Sequence, residues 1–284
     1  MQIVTTKADV RAAVQEWKRQ GESVGLMPTM GYLHAGHASL MRRARAENGK
    51  VVVSVFLNPM QFGPAEDLGN YPRDPARDAA LCADMGADLL FRPDPAEMYS
   101  PDFCSFVDMT GLTAGLCGRS RPVHFRGVCT VVCKLMNIVR PDRAYFGQKD
   151  AQQLAVVRRM AEDLDLGVQV VGCPIVREAD GLAMSSRNTY LSPTERQAAL
   201  VLSRAVRRGR EMTEGGESSA AAVIDAMRAI IAQEPLARVD YVEVVDARTI
   251  APLHTLTRPV LGAIAVYIGT TRLIDNFLVE EPCC

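Results

Sequence analysis

The chain is 284 residues long, 48% apolar and 23% charged, a globular composition that excludes a disordered or fibrous chain. Thirty-two basic residues against thirty-three acidic ones leave a formal charge of -1, without the basic excess of a general nucleic-acid binder. No apolar run approaches the ~18 residues of a membrane span. Met1–Lys7 has neither the apolar core nor the cleavage pattern of a secretory signal, so a cytoplasmic protein is expected.

Lys7 to Arg19 carries Val10, Ala13, Val14 and Trp17 at helical spacing. Ser23 to Met27 is a short apolar run, broken by Pro28-Thr29-Met30-Gly31, and Leu33 to Ala46 again reads as helix. Val51 to Leu57 is β-branched and apolar almost throughout, the signature of a strand buried on both faces. Asn58 to Pro72 is rich in Gly, Pro and polar residues and is long for a loop inside a compact domain, the kind of segment that serves as a lid. Helix is expected over Asp74–Met85, the latter part of Val123–Val139, and Asp150–Leu164. Strand is expected over Ala87–Phe91, Arg143–Phe146 and Val168–Cys173. Such alternation predicts an α/β fold, a Rossmann-like doubly wound parallel sheet, with ligands bound outside the carboxyl ends of its strands.

The pattern changes near residue 178. Ser192-Pro193-Thr194-Glu195 combines an N-cap Ser, a first-turn Pro and a Glu three residues on, predicting a helix that runs to about Met212 before Gly215-Gly216. A second helix is expected over Ala220–Ala232. Strands are expected over Val239–Val245, Val260–Ile268 and Thr271–Val279, with Gly269-Thr270 as a hairpin turn. Two domains follow from this reading: 1–178, and a smaller C-terminal α+β domain over 179–284 with an antiparallel sheet. The eight cysteines show no Cys-x-x-Cys and no zinc-type spacing, so no metal centre is predicted. Most read as buried, reduced thiols, and Cys283-Cys284 as an exposed, oxidisable tail.

Phosphate-loop, dinucleotide-fold and nucleophile-elbow patterns are absent. What stands out is Met30-Gly31-Tyr32-Leu33-His34-Ala35-Gly36-His37, just after the first predicted strand. Two histidines three apart at a helix start share a face. The helix N-terminus stabilises an anion, Gly36 lets a bulky ligand reach the backbone, and both imidazoles can donate to phosphate oxygens. A surface pair or half a metal site is the plainer alternative. A second cluster, Gly181 to Asn188, places Ser185, Ser186 and Arg187 in one loop as a phosphate clamp, or as an ordinary polar loop. In the third, Gly147-Gln148-Lys149-Asp150, Lys149 brings a cation to the strand end and Asp150 is placed to cap the following helix.

Taken together, these clusters resemble the nucleotidylyltransferase superfamily. The strings Pro28-Thr29-Met30-Gly31, Asn58-Pro59-Met60-Gln61-Phe62-Gly63, Arg121-Pro122-Val123-His124-Phe125, Phe146 to Asp150, Gln152-Gln153 and Arg177 to Asn188 are similar to those of the pantothenate synthetase (pantoate–β-alanine ligase) family. That resemblance implies an enzyme that joins pantoate to β-alanine with ATP and Mg²⁺ through a pantoyl-adenylate, releasing AMP and pyrophosphate.

Residue roles follow by the same resemblance. Met30, Gly31, Tyr32, Leu33, His34, Ala35, Gly36, His37, Gly147, Gln148, Lys149, Asp150, Val176, Met184, Ser185, Ser186 and Arg187 would bind ATP. His37 would be the proton donor, with His34, Lys149 and Arg187 offsetting phosphate charge. Gln61 and Gln153 would hold pantoate and Gln61 would also touch β-alanine. Asn58 and His124 would line the pocket. An amide can donate and accept, so it can orient a hydroxyl without desolvating a charge. A homodimer is implied, with no nucleic-acid or membrane partner. Ala151 departs from the pattern, standing where the family often has an aromatic residue, and Ala183 and Ser186 stand where many relatives carry lysines. Competing readings are an adenylyl transferase for a phosphorylated substrate, a tRNA synthetase, and a non-catalytic nucleotide-binding regulator. The neutral Gln pair speaks against the first. The short chain without basic excess speaks against the second, and pyrophosphate release separates off the third.

Overall fold

The computed structural model describes residues 1–64 and 66–280, so Cys283 and Cys284 lie outside the described residues. The chain divides into two compact units. One comprises Met1–Met109, Arg121–Gln148 and Val156–Pro174; the other comprises Thr110–Ser120, Lys149–Ala155 and the chain from Ile175 onward. The sequence pattern predicts a single boundary at 178; in this division the main segment of the second unit starts at Ile175 and two earlier segments join it.

The first unit is built on six parallel strands: β1 (Gln2–Val4), β2 (Val24–Thr29), β3 (Lys50–Val55), β4 (Leu89–Phe91), β5 (Arg143–Gly147) and β6 (Gln169–Cys173), in the order β1-β4-β3-β2-β5-β6. The winding reverses between β2 and β5, which makes the ends of those two strands the switch point where such sheets bind ligands. The doubly wound expectation is borne out. β1 is the strand the sequence pattern missed, because three residues carry no readable periodicity.

The helices are α1 (Lys7–Arg19), α2 (Ala35–Glu47), α3 (Pro75–Asp84), α4 (Pro95–Met98), α5 (Leu116–Ser120), α6 (His124–Val139) and α7 (Ala151–Asp163); α5 and the start of α7 belong to the second unit. Side chains alternate across the sheet. Met27, Val51, Val53, Leu90 and Tyr145 pack with Leu40, Met41 and Ala44 of α2 and Cys82 of α3, while Leu26, Val52, Leu89 and Phe91 are fully buried on the other face. Burial on both sides explains why β3 reads as an almost unbroken apolar run, with Ser54 its one buried polar residue. Among the described residues of the segment between β3 and α3, a 3-10 turn over Pro59–Gln61 is the regular element.

In the second unit, α8 (Pro193–Ala198), α9 (Leu200–Glu214) and α10 (Ala220–Ile231) accompany an antiparallel sheet of β7 (Ala237–Asp246), β8 (Val260–Ile268) and β9 (Thr271–Val279). The predicted capping box is present: Ser192 Oγ accepts from the Glu195 N–H, and the Glu195 carboxylate accepts from the Ser192 N–H. The single helix expected to follow is instead interrupted at Ala199. Gly269 adopts a positive φ of 57° in the predicted β8–β9 turn. Val201, Leu202, Ala205, Val223, Met227, Val242, Ile264 and Phe277 form the core of this unit.

Candidate active site

In the first unit, β2 ends at Thr29 and the chain turns through Gly31 (φ 94°) and Tyr32 (φ 52°) into α2. Gly31 is required here twice over: by its positive φ, and because a Cβ would lie 3.1 Å from Asp78 Oδ2. The buried Asp78 carboxylate holds this turn, accepting from the Tyr32 N–H at 2.9 Å and the Leu33 N–H at 2.7 Å. Burial pushes its pKa up, against the pull of those two backbone donors. No sequence signal singled out Asp78, which lies 45 residues beyond Leu33 on α3.

His34 and His37 cap α2 reciprocally. His34 Nδ1 accepts from the Gly36 N–H at 3.1 Å, and His37 Nδ1 accepts from the His34 N–H at 3.2 Å; the ring centroids are 4.1 Å apart. Because a backbone N–H can only donate, both Nδ1 atoms are acceptors. The neutral rings therefore carry their protons on Nε2, as donors. Two N–H donors at a helix N-terminus are suited to a growing oxyanion.

A separate cluster forms beneath the end of β3. Asn58 is 1% exposed and Gln61 is buried. Asn58 Nδ2 donates to Gln61 Oε1 (3.1 Å) and to the Gly127 carbonyl (3.1 Å), and Gln61 Nε2 lies 3.1 Å from Met30 Sδ. His124 Nδ1 faces the Gln61 carbonyl at 3.1 Å and its Nε2 faces Arg121 at 3.3 Å, so His124 is the Nδ1–H tautomer, opposite to His34 and His37. Arg121 forks onto Glu66 at 2.7 and 2.5 Å. Burial pushes the Glu66 carboxyl up, but the Arg121 hydrogen bond and charge outweigh it and hold the pKa below the ordinary value.

The second unit gathers the remaining candidates. Val176 and Met184 are joined by a backbone hydrogen bond of 2.9 Å that closes a hairpin, and Ser185 follows it, its Oγ accepting from the Arg187 N–H at 3.3 Å. Lys149, Ser185, Asn188 and Asp275 line one small depression. Lys149 Nζ is 3.9 Å from Asp150 Oδ2, and the Lys149 carbonyl accepts from Asn276 Nδ2 at 2.8 Å. Glu178 ties the loop to α8, accepting from Asn188 at 2.7 Å and from Arg196 at 2.7 Å.

Two neighbouring glutamines differ sharply. Gln152 is buried and spent on structure, accepting from the Cys117 N–H and donating to the Leu112 and Gly115 carbonyls at 2.9 Å each. Gln153 is half-buried. Among the described residues no group of three or more His, Cys, Asp or Glu is placed to hold a metal ion, and no helix is long and apolar enough to cross a membrane.

The family model described as pantoate-beta-alanine ligase matches residues 2–278. The chain belongs to the pantoate–β-alanine ligase family. It is similar to the pantothenate synthetases of Ruminiclostridium cellulolyticum, 59% identical with 98% of each chain covered, and of Heliobacterium modesticaldum, 60% identical with 99% of this chain and 100% of that one covered. Among solved structures it is similar to the pantothenate synthetase of Thermus thermophilus, with a TM-score of 0.94 at 49% identity over 99% of this chain and 100% of the other. It is also similar to the pantoate-beta-alanine ligase of Francisella tularensis complexed with beta-gamma ATP and beta-alanine, with a TM-score of 0.81 at 30% identity over 98% and 97% of the two chains.

Proposed function

We propose that this pantoate–β-alanine ligase family member joins pantoate to β-alanine in two steps, consuming ATP and releasing AMP and pyrophosphate. The observation that carries the reading is the family match along residues 2–278, supported by relatives at 59% and 60% identity over nearly their full length.

Charge dictates the roles in the first step. Pantoate's carboxylate is already ionised and needs no base, but an anion must attack the α-phosphorus of a polyanion. His34 and His37 donate through Nε2 to phosphate oxygens, His37 serving as proton donor, and Lys149 and Arg187 offset the charge that grows as pyrophosphate leaves. Met30–His37, Gly147–Asp150, Val176 and Met184–Arg187 hold the nucleotide. Mg²⁺ bound to the triphosphate would supply further neutralisation of its charge, beside Lys149 and Arg187.

In the second step the neutral amine of β-alanine attacks the acyl carbon of the adenylate. Water competes, so the intermediate must be shielded. The Gln61–Tyr71 segment closes over it, and unchanged hydrogen exchange in that segment on adding ATP and pantoate would contradict this. Gln61 and Gln153 hold pantoate, Gln61 also meets β-alanine, and the protein works as a cytoplasmic homodimer.

The deciding experiment measures AMP and pyrophosphate with pantoate, with and without β-alanine. A ligase releases pyrophosphate in a pantoate-dependent burst and turns over when β-alanine is added. A nucleotide-binding regulator would bind ATP and release neither product. Gln61→Ala is expected to raise the pantoate KM far more than the ATP KM.

A further inference from the structure

What a glutamine can hold depends on which end of its amide faces the ligand, and here the neighbours decide. Asn58 sits one turn before Gln61 with its amide orientation over-determined. Its Oδ1 accepts from the Met60 N–H at 3.3 Å and from the Tyr99 hydroxyl at 2.8 Å. Its Nδ2 lies 3.1 Å from the Gly127 carbonyl oxygen, which can only accept. Turning the amide over would set N–H against N–H and oxygen against oxygen, so this orientation is settled by chemistry. Asn58 Nδ2 must then also donate to Gln61 Oε1. That engages the Gln61 oxygen and turns its NH₂ group toward Met30, where a thioether is only a weak acceptor.

Tyr99 anchors the outer end of this chain. It caps α4, its ring packs on Phe56 and Phe103 at centroid distances of 6.1 and 5.0 Å, and Lys134 lies 5.6 Å over its face. Burial pushes its phenol pKa upward, so the hydroxyl keeps the proton it donates.

We infer that Gln61 meets its ligand as a hydrogen-bond donor, and that Tyr99 is a positioning residue which holds it so through Asn58. The inference rests on the pantoate-binding reading of Gln61 and sharpens it: the Gln61 NH₂ group meets an acceptor, a carboxylate oxygen or a hydroxyl lone pair.

Two variants of the full chain test this in steady-state assays of pyrophosphate release. Tyr99→Phe keeps the ring and removes the donor. It is expected to raise the pantoate KM about tenfold, the loss typical of one buried hydrogen bond, with kcat and the ATP KM within about twofold. A general packing defect would move all three together, and either that pattern or an unchanged pantoate KM overturns the inference. Gln61→Glu can only accept. A donor role predicts that it binds pantoate no better than Gln61→Ala, whereas an acceptor role predicts that it binds better, which would overturn the assignment. If the unsubstituted chain releases no pyrophosphate with pantoate, the ligase reading falls and takes this inference with it. If the chain is active but the variants behave otherwise than stated, the inference alone falls.

Discussion

Arg177 clasps Asp275 through two hydrogen bonds of 2.7 and 2.9 Å, at a point where Asp275 is 1% exposed and the arginine side chain is 32% exposed. Asp275 lies on β9 and Arg177 at the base of the hairpin that leads into Met184–Arg187. The next residue, Asn276, holds the Lys149 carbonyl. One strand of the second unit thus tethers two of the segments assigned to phosphate binding. The exposures make the pair asymmetric. Arg177→Met strands a fully buried carboxylate and is expected to cost about 3–5 kcal/mol. Asp275→Asn leaves a guanidinium that can reach water and should cost less. Urea unfolding of the two variants checks the order.

Gly127 lies where α6 meets the Pro59–Gln61 turn, and a Cβ there would collide with the Met60 carbonyl oxygen and sit 2.6 Å from Gln61 Cα. Gly127→Ala must push the turn away and pull Asn58 off its carbonyl partner. The expected result is a loss of about 1–3 kcal/mol from overpacking and a pantoate KM that rises more than the ATP KM. Equal changes in both would argue that the turn does not serve pantoate.

The two ring nitrogens of His37 have separable duties. Asn at this position can imitate the Nδ1 acceptor of the cap, while Gln reaches further and can imitate the Nε2 donor. His37→Asn should retain stability but lose roughly 10²–10³ in kcat. His37→Gln should keep more activity yet lose about 0.5–2 kcal/mol of helix capping. Thermal melts and kcat measured on the same samples separate the two.

Asp78 satisfies two backbone donors with two oxygens. Asp78→Asn supplies one acceptor and sets an NH₂ against the second N–H, so the ATP KM is expected to rise about tenfold. The pKa of Asp78 is raised by burial. Its proton-linked contribution is therefore full below the ordinary carboxylate range and is lost as pH climbs through the raised folded value. The Asn variant should show a shallower fall in stability across that window, measured by urea unfolding between about pH 3.5 and 6, a range set by the ~3.9 of an unperturbed Asp.

Burial pushes the thiols of Cys82 and Cys129 up to about 12, whereas Cys104 is exposed. In a variant with Cys283 and Cys284 replaced by serine, iodoacetamide at about pH 8 should label Cys104 and leave Cys82 and Cys129 unmodified in the folded state. Mass spectrometry of the digested protein reads this directly, and early labelling of Cys82 would mean that α3 opens locally.

The order of strands and helices was legible because periodicity is local: β3 is an almost continuous apolar run, α8 announces itself with Ser192 and Glu195, and Gly269 marks the last hairpin. The candidate loops were legible for the same reason, since each follows a strand whose pattern is plain. The break at Ala199 was not legible, because nothing in the composition around Ala198–Leu200 interrupts helical spacing.

The supporting residues were hidden in a different way. Asp78, Tyr99, Asp275 and Asn276 act on partners between 41 and 127 positions away, and a hydrogen bond leaves no trace in the spacing of either partner. The sequence alone determined the family and the parallel sheet and nominated the side chains proposed for the chemistry, because residue type and short-range spacing suffice for these. Only the tertiary structure decided which nitrogen of His34, His37 and His124 holds the proton and which end of the Gln61 amide faces Met30. Those choices belong to the atoms that folding places within about 3 Å of each other.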